Sequence, residues 1–300
     1  MTPALPELEI QPVETAGPWR DPWNRFRRNR AALTAAIVVL FIVIVSLIGP
    51  WLVYLYNGFE FDTLGLDNRL ANPSLKHLFG TDTLGRDLLA RVLYGSRISL
   101  MVGLVSTLIS LVIGVTYGAV AGYFGGRIDE VLMRAVDVLY SLPDILLIVI
   151  LMALFERSLL LLFLALGATS WLTMARIVRG QVLSLKHEQF VEAARCIGVS
   201  NFGIVARHIL PNTLGSIIVY ATLTIPSVIL SEAFLSFLGL GVPPPASSLG
   251  VLAEEGAEAI SVHPVLLIAP ATLMALMLIS LNFLGDGLRD ALDPRMRRTE

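Results

Sequence analysis

The chain has 300 residues, of which 55% are hydrophobic and 15% are charged, whereas about 25% of residues are charged in an average soluble domain. The net charge of −2 provides no basic excess, which argues against nucleic-acid binding. The single cysteine permits no internal disulfide, and no Cys/His spacing is typical of a metal site. The composition predicts an all-α integral membrane protein without a metal or cofactor of its own.

Six charge-poor segments are long enough to cross a bilayer, for which about 20 helical residues suffice. The predicted spans are 31–56, 98–121, 133–155, 158–176, 214–239 and 263–285. Asp137 and Asp144 interrupt the third. The predicted chain begins with an N-terminal tail (1–30), a first transmembrane helix (31–56) and a loop with short interfacial helices (57–97). A transmembrane core (98–285), which contains a further loop (176–213), and a C-terminal tail (286–300) follow.

Lysine and arginine are distributed unevenly between the two sides of the predicted bundle. With the N-terminus inside, 16 of the 22 basic residues fall in inner segments. Because basic residues are retained on the cytoplasmic side, both termini and the loop 176–213 are predicted to be cytoplasmic. The loop 57–97 is then predicted to be extracytoplasmic, in a multi-pass membrane protein.

Two of the loops carry local structural signals. In the loop 176–213, apolar residues at helical spacing and a break at Gly198–Asn201 predict two short helices joined by a turn. In the loop 242–262, three consecutive prolines at 243–245 argue against regular helix.

Enzymatic motifs are lacking. No GxxxxGK[ST] loop is present to hold nucleotide phosphates, and no HExxH pattern is present to hold a catalytic metal. No catalytic residue is therefore assigned, and transport without a covalent step is the favoured class. A structural membrane scaffold that recruits a soluble partner is a further possibility.

Acidic residues within the spans are candidates for function because charge is costly in a bilayer. Asp137 is expected to pair with Arg134, one turn away. Asp144 shares a helical face with Ser141 and either faces a transport path or lies near the headgroups. Glu232 either lines the path or gate, or makes a structural hydrogen bond. An alternative function follows, in which Asp137, Asp144 and Glu232 serve an ion-gradient-driven secondary transporter.

Small residues recur four apart at Gly114, Gly118 and Gly122. This spacing places them on one helical face and lets a second helix approach closely. The pattern predicts helix packing rather than contact with a substrate.

The inner loop carries the most specific motif of the chain. Its residues in register are Glu192, Ala193, Ala194, Gly198, Leu210 and Pro211. The pattern resembles the EAA loop of binding-protein-dependent ABC importer permeases, and is closest to the C-type permease of dipeptide, oligopeptide or nickel importers. Further agreeing segments are 80–87, 94–99, 122–129, 232–241 and 285–294.

The resemblance implies a type I ABC importer permease of a bacterial-type plasma membrane, which forms half of a translocation path for peptides or a similar small solute. It implies a homologous second permease, two cytoplasmic P-loop ATPases that bind ATP and Mg, and an extracytoplasmic binding protein. Residues 192–198, including Arg195, would form a coupling helix against an ATPase. Asp82, Arg86 and Asp87 would either contact the binding protein or pair with one another.

Overall fold

A computed structural model describes residues 20–292, which are mainly helical. The helices are α1 (Arg20–Arg28), α2 (Arg30–Asn57), α3 (Leu88–Phe124), α4 (Gly126–Tyr140), α5 (Asp144–Leu154), α6 (Leu159–Leu185), α7 (Gln189–Cys196), α8 (Asn201–Ile204), α9 (Leu210–Phe237), α10 (Leu249–Glu258) and α11 (Val265–Leu292). Within residues 20–292, β pairing is limited to one bridge between Thr81 and Asp87. The predicted tails lie partly outside the described residues, at 1–19 and 293–300.

Five helices of the described chain are long and apolar enough to cross a membrane. They are α2, α3, α6, α11 and a continuous helix formed by α8 and α9 across a π-helical turn. A sixth candidate is the pair α4 and α5, which is bent by 80°. The bend falls at Pro143, whose ring disfavours helical backbone at the preceding residue. The predicted third span is therefore two helices, and the count of six holds if this pair crosses as one.

Several helices extend beyond their predicted ends, three of them by nine residues or more. Helix α3 begins at Leu88 rather than residue 98, with the Asp87 side chain accepting the Ala90 N–H at 2.9 Å. Helix α6 continues to Leu185 rather than 176, and the helix containing α9 begins at Asn201 rather than 214. Hydropathy marks the apolar stretch, whereas a helix continues as long as its backbone hydrogen bonds and caps are satisfied.

The expectation of no regular helix in the loop 242–262 is wrong, because α10 lies there. The three prolines precede the helix instead of interrupting it. Ser248 caps the first turn by accepting the Val251 N–H at 3.2 Å. In the loop 57–97, the described short helix is a single 3-10 turn at Leu66–Asn68.

Helix α3 is central to the bundle and packs against α2, α4, α6, α9, α10 and α11. Its glycine face confirms the predicted helix packing, since Gly114, Gly118 and Gly122 all lie against α6. A Cβ atom added at Gly118 would lie 2.3 Å from the Ala175 carbonyl oxygen. The two backbones therefore approach too closely for any side chain at this position.

Gly118→Ala is expected to lower the Tm of the purified protein, because overpacking of this kind costs about 1–3 kcal/mol. Gly180→Ala is the matched control, since Gly180 lies within α6 and has nothing within 4 Å of an added Cβ. There the greater helix propensity of alanine should leave the Tm unchanged or raise it. Thermal unfolding in detergent measures both, and equal Tm values for the two variants would contradict the close α3–α6 contact.

Candidate functional site

The segment 176–213, called the EAA segment below, contains the motif residues in α7 and the turn after it. Gly198 has a φ of +83°, a left-handed conformation that favours glycine. Its N–H donates to the Arg195 carbonyl at 3.1 Å, and the Val199 N–H donates to the Ala194 carbonyl at 3.1 Å. This pair of bonds is the Schellman motif that ends helices. Gly198 therefore fixes the direction in which the chain leaves α7.

The two alanines of the motif face opposite environments. Ala194 is 3% exposed and packs inside with Val191, whereas Ala193 is exposed. Phe190 and Ile197 share the outer face with Ala193 and are 38% and 81% exposed. We call Phe190, Ala193 and Ile197 the exposed stripe. Its helical spacing makes a continuous apolar surface on the outside of α7.

The other motif residues lie in α7 and at the start of α9. Glu192 and Arg195 are exposed beside the exposed stripe, and their role as polar anchors for a partner stays a prediction. Leu210 and Pro211 begin α9 immediately after the π-helical turn Val205–Ile209. Because proline cannot donate a backbone hydrogen bond and crowds the preceding turn, the wider π turn accommodates it without ending the helix. The EAA segment thus runs without a break into α9.

A pocket of about 470 Å³ lies between the α4–α5 bend, α6 and α9. Its walls are apolar side chains interspersed with hydroxyl groups. The aliphatic hydroxyl-bearing residues that line it are Thr169, Ser170, Thr173, Thr224, Ser227 and Ser231. Asp144 lies at its rim on the first residue of α5. This is a concave site of the size that holds small ligands.

The three residues predicted to face a path or gate, Ser141, Asp144 and Glu232, are not brought together. Asp144 lines the pocket, whereas Ser141 does not and its hydroxyl donates to the Val138 carbonyl at 2.7 Å.

Asp137 accepts a hydrogen bond from Arg176 at 2.8 Å, so the expected Arg134–Asp137 pair is wrong. Arg176 projects from α6 across to α4, and this contact between helices replaces the local one.

Glu232 is fully buried and does not line the pocket. Its Oε1 accepts hydrogen bonds from Ser248 at 2.6 Å and from Ser236 at 2.9 Å. Ser99 of α3 accepts the Leu249 N–H at 3.1 Å beside this group. These bonds join α9, α10 and α3, which is the structural alternative anticipated for Glu232.

Ion pairs centred on the buried Arg91 connect the loop between α2 and α3 to α10. Arg91 is 2% exposed and donates through Nη1 to Asp82 at 2.7 Å and to Glu255 at 2.5 Å. Its Nη2 donates to the other Glu255 oxygen at 3.1 Å. Arg86 donates through Nε to Asp82 at 2.6 Å. The arrangement fastens the loop to two helices through charge-assisted hydrogen bonds.

Asp87 is buried in a second cluster. It accepts hydrogen bonds from His77 Nδ1 at 2.9 Å and from Asn57 at 3.1 Å, besides capping α3. Asp82 and Arg86 thus pair with each other, while Asp87 pairs elsewhere. A contact of these three residues with a binding protein stays a prediction. Within residues 20–292, no three His, Cys, Asp or Glu side chains are grouped to hold a metal ion.

The sequence matches two known protein families. Residues 114–298 match the family described as "Binding-protein-dependent transport system inner membrane component". The chain belongs to this family. Residues 17–73 match the N-terminal transmembrane domain of oligopeptide transport permease C. The protein is thus a multi-pass inner-membrane permease of an ABC importer, and the family predicted from the EAA motif is confirmed.

Alignments with curated relatives cover nearly the whole chain. The oligopeptide transport system permease protein OppC of Haemophilus influenzae is 46% identical over 97% of this chain and 93% of its own. OppC of Escherichia coli K12 is 48% identical over 95% and 94%. The dipeptide transport system permease protein DppC of Bacillus subtilis is 46% identical over 93% and 86%.

The permease also resembles a solved structure, the inward-facing MetNI methionine ABC transporter. The TM-score is 0.57 at 21% identity, over 69% of this chain and 96% of that one. This likeness shows the fold, and it agrees with the all-helical architecture of the described residues. None of these relatives supports the secondary-transporter alternative.

Two features of the permease were missed by sequence reasoning. Arg91 and Glu255 are 164 positions apart, and no local pattern connects them. The pocket hydroxyls did carry a signal, because Thr224, Ser227 and Ser231 recur at helical spacing in an apolar stretch. Hydroxyl residues at this spacing indicate a polar face on a helix that is otherwise apolar.

Proposed function

We propose that this permease forms half of the translocation path of a peptide importer and is driven by ATPase subunits that dock on its EAA segment. The observation that carries the proposal is the exposed stripe. It is a solvent-accessible apolar surface on a short helix, and it is joined through one helix to the pocket wall on α9. A surface of this kind indicates a protein partner.

The positive-inside distribution supports a cytoplasmic EAA segment and cytoplasmic termini, with six crossings. ATPases on that side would carry ATP and Mg, and this chain itself would catalyse no covalent step. A homologous second permease would complete the path, and an extracytoplasmic binding protein would deliver the substrate. Peptides are the proposed substrates because the relatives are named for oligopeptide and dipeptide transport.

The test is reconstitution of the tagged permease with its co-purifying subunits and the binding protein in proteoliposomes. Uptake of a labelled tripeptide should require ATP on the side of the ATPases and should stop when ATP is replaced by a non-hydrolysable analogue. A P-loop ATPase and a second permease should co-purify in mild detergent. Peptide uptake by the permease alone, without ATP, would overturn the proposal.

A further inference from the structure

The hydroxyl groups in the pocket present acceptors rather than donors to its interior. Each hydroxyl has a single hydrogen, and five of the lining hydroxyls donate it to a carbonyl of their own helix. The bonds are Thr169 and Ser170 to Leu166 at 3.0 and 2.9 Å, Thr224 to Tyr220 at 2.7 Å, Ser227 to Leu223 at 3.4 Å, and Ser231 to Ser227 at 3.0 Å. The oxygen lone pairs that remain can only accept.

The acidic residue at the rim of the pocket, Asp144, also offers a hydrogen-bond acceptor to a ligand. Asp144 is exposed, and its Oδ1 accepts the N–H of Ile145 at 2.8 Å at the start of α5. Asp144 thus lies in the first turn of α5, at the positive end of the helix dipole. No salt bridge engages Asp144 among residues 20–292, in contrast to Asp137 on the other side of the bend. Its Oδ2 is available to a ligand.

Groups that would hold an anion are scarce. Among the described residues, no lysine, arginine or histidine lines the pocket. The hydroxyls of Tyr140 and Thr173 are the two lining hydroxyls for which the structure gives no hydrogen bond. They can donate to a carbonyl oxygen of a ligand. Arg176 lies 4.0 Å from the centroid of the Tyr140 ring, but it is already paired with Asp137. A carboxylate in this pocket would therefore meet Asp144 and several acceptor oxygens without a free counter-charge.

We propose that this pocket binds the amino-terminal end of a peptide, with the α-ammonium group on Asp144 and backbone N–H groups on the hydroxyls of α6 and α9. The inference rests on the proposed function and deepens it, because it specifies which end of the peptide this subunit takes. The free ammonium is the recognised group, and peptide side chains are not. Asp144 is accordingly a specificity-determining residue of the path.

The experiment compares trialanine with N-acetyl-trialanine in proteoliposomes that contain the complete transporter and its binding protein. Affinity of the binding protein for each peptide is titrated separately, and both peptides are supplied at saturating concentrations. Because the binding protein is the same in every sample, a changed ratio of the two uptake rates between permease variants reports on the permease. Asp144→Asn is expected to slow trialanine uptake about tenfold and N-acetyl-trialanine uptake less than about twofold.

Asp144→Glu, which keeps the charge, should retain most trialanine uptake. Glu130→Gln is the matched control, since it removes one exposed carboxylate from α4 outside the pocket and should change neither rate. An equal loss for both peptides in Asp144→Asn, or an equal loss of trialanine uptake in Asp144→Glu and Asp144→Asn, would overturn the inference. Should the wild-type transporter take up neither peptide, the proposed peptide-importer function itself fails.

Discussion

Ile197→Asp is expected to abolish ATP-dependent uptake by the assembled transporter while leaving membrane insertion intact. Ile197 is 81% exposed in this chain, so aspartate there does not disturb the fold of the permease. When the exposed stripe is covered by an ATPase, however, the new carboxylate is buried without a partner. A loss of about 3 kcal/mol in docking free energy would weaken the contact more than about 100-fold.

Co-purification of the ATPase in mild detergent and peptide uptake in proteoliposomes are the two measurements. His187→Asp is the matched control, because it adds the same charge at an exposed position of the EAA segment before α7 begins. It should retain both the ATPase and uptake. Normal ATPase recovery with Ile197→Asp would show that the exposed stripe is not the docking surface.

Arg91→Met is expected to destabilise the permease by about 3–5 kcal/mol, which is the usual cost of removing one member of a buried ion pair. The methionine retains much of the packing of the arginine stem but leaves Asp82, itself 2% exposed, without its partner on α3. Glu255 loses both of its hydrogen bonds from Arg91. The Tm measured by thermal unfolding in detergent should fall sharply.

Arg97→Met provides the comparison, since Arg97 is an exposed residue of the same helix for which the described structure shows no ion pair. Its Tm should remain near that of the wild type. In Arg91→Met, Asp82 keeps its ion pair with Arg86 at 2.6 Å, so the loss of stability reports on the contacts that Arg91 makes from α3. Equal Tm values for Arg91→Met and Arg97→Met would show that the pair does not hold the loop to α10.

The existence of the membrane helices was predictable because apolar length is a strong and local signal. Their ends were not, since Leu88 and Leu185 are fixed by caps and by packing between helices instead of by hydropathy. In the sequence, the only sign of the bend at Pro143 was that two aspartates interrupt the third predicted span. Helix α10 was missed because three prolines suggested irregular structure, although they bar helix only where they stand.

The candidate site was predictable to the extent that a motif marks it. The EAA pattern located α7 and its terminating turn, and Gly198 has the left-handed backbone that a glycine permits. Sequence could not decide which of Ala193 and Ala194 faces outwards, because both are small and adjacent. Asp137 was assigned to its nearest base in sequence, whereas Arg176 reaches it from another helix. Such pairings depend on tertiary structure, which no local spacing encodes.

The unbroken helix Asn201–Phe237 has a mechanical consequence. At about 1.5 Å per residue, some 45 Å of helix separate Asn201, beside the exposed stripe, from Ser231 in the pocket wall. A tilt of about 10° about the Asn201 end moves Ser231 sideways by about 8 Å, more than the width of a peptide backbone. Because one helix joins the two places, a small rotation at the EAA segment would be amplified along the helix before it reaches the pocket wall.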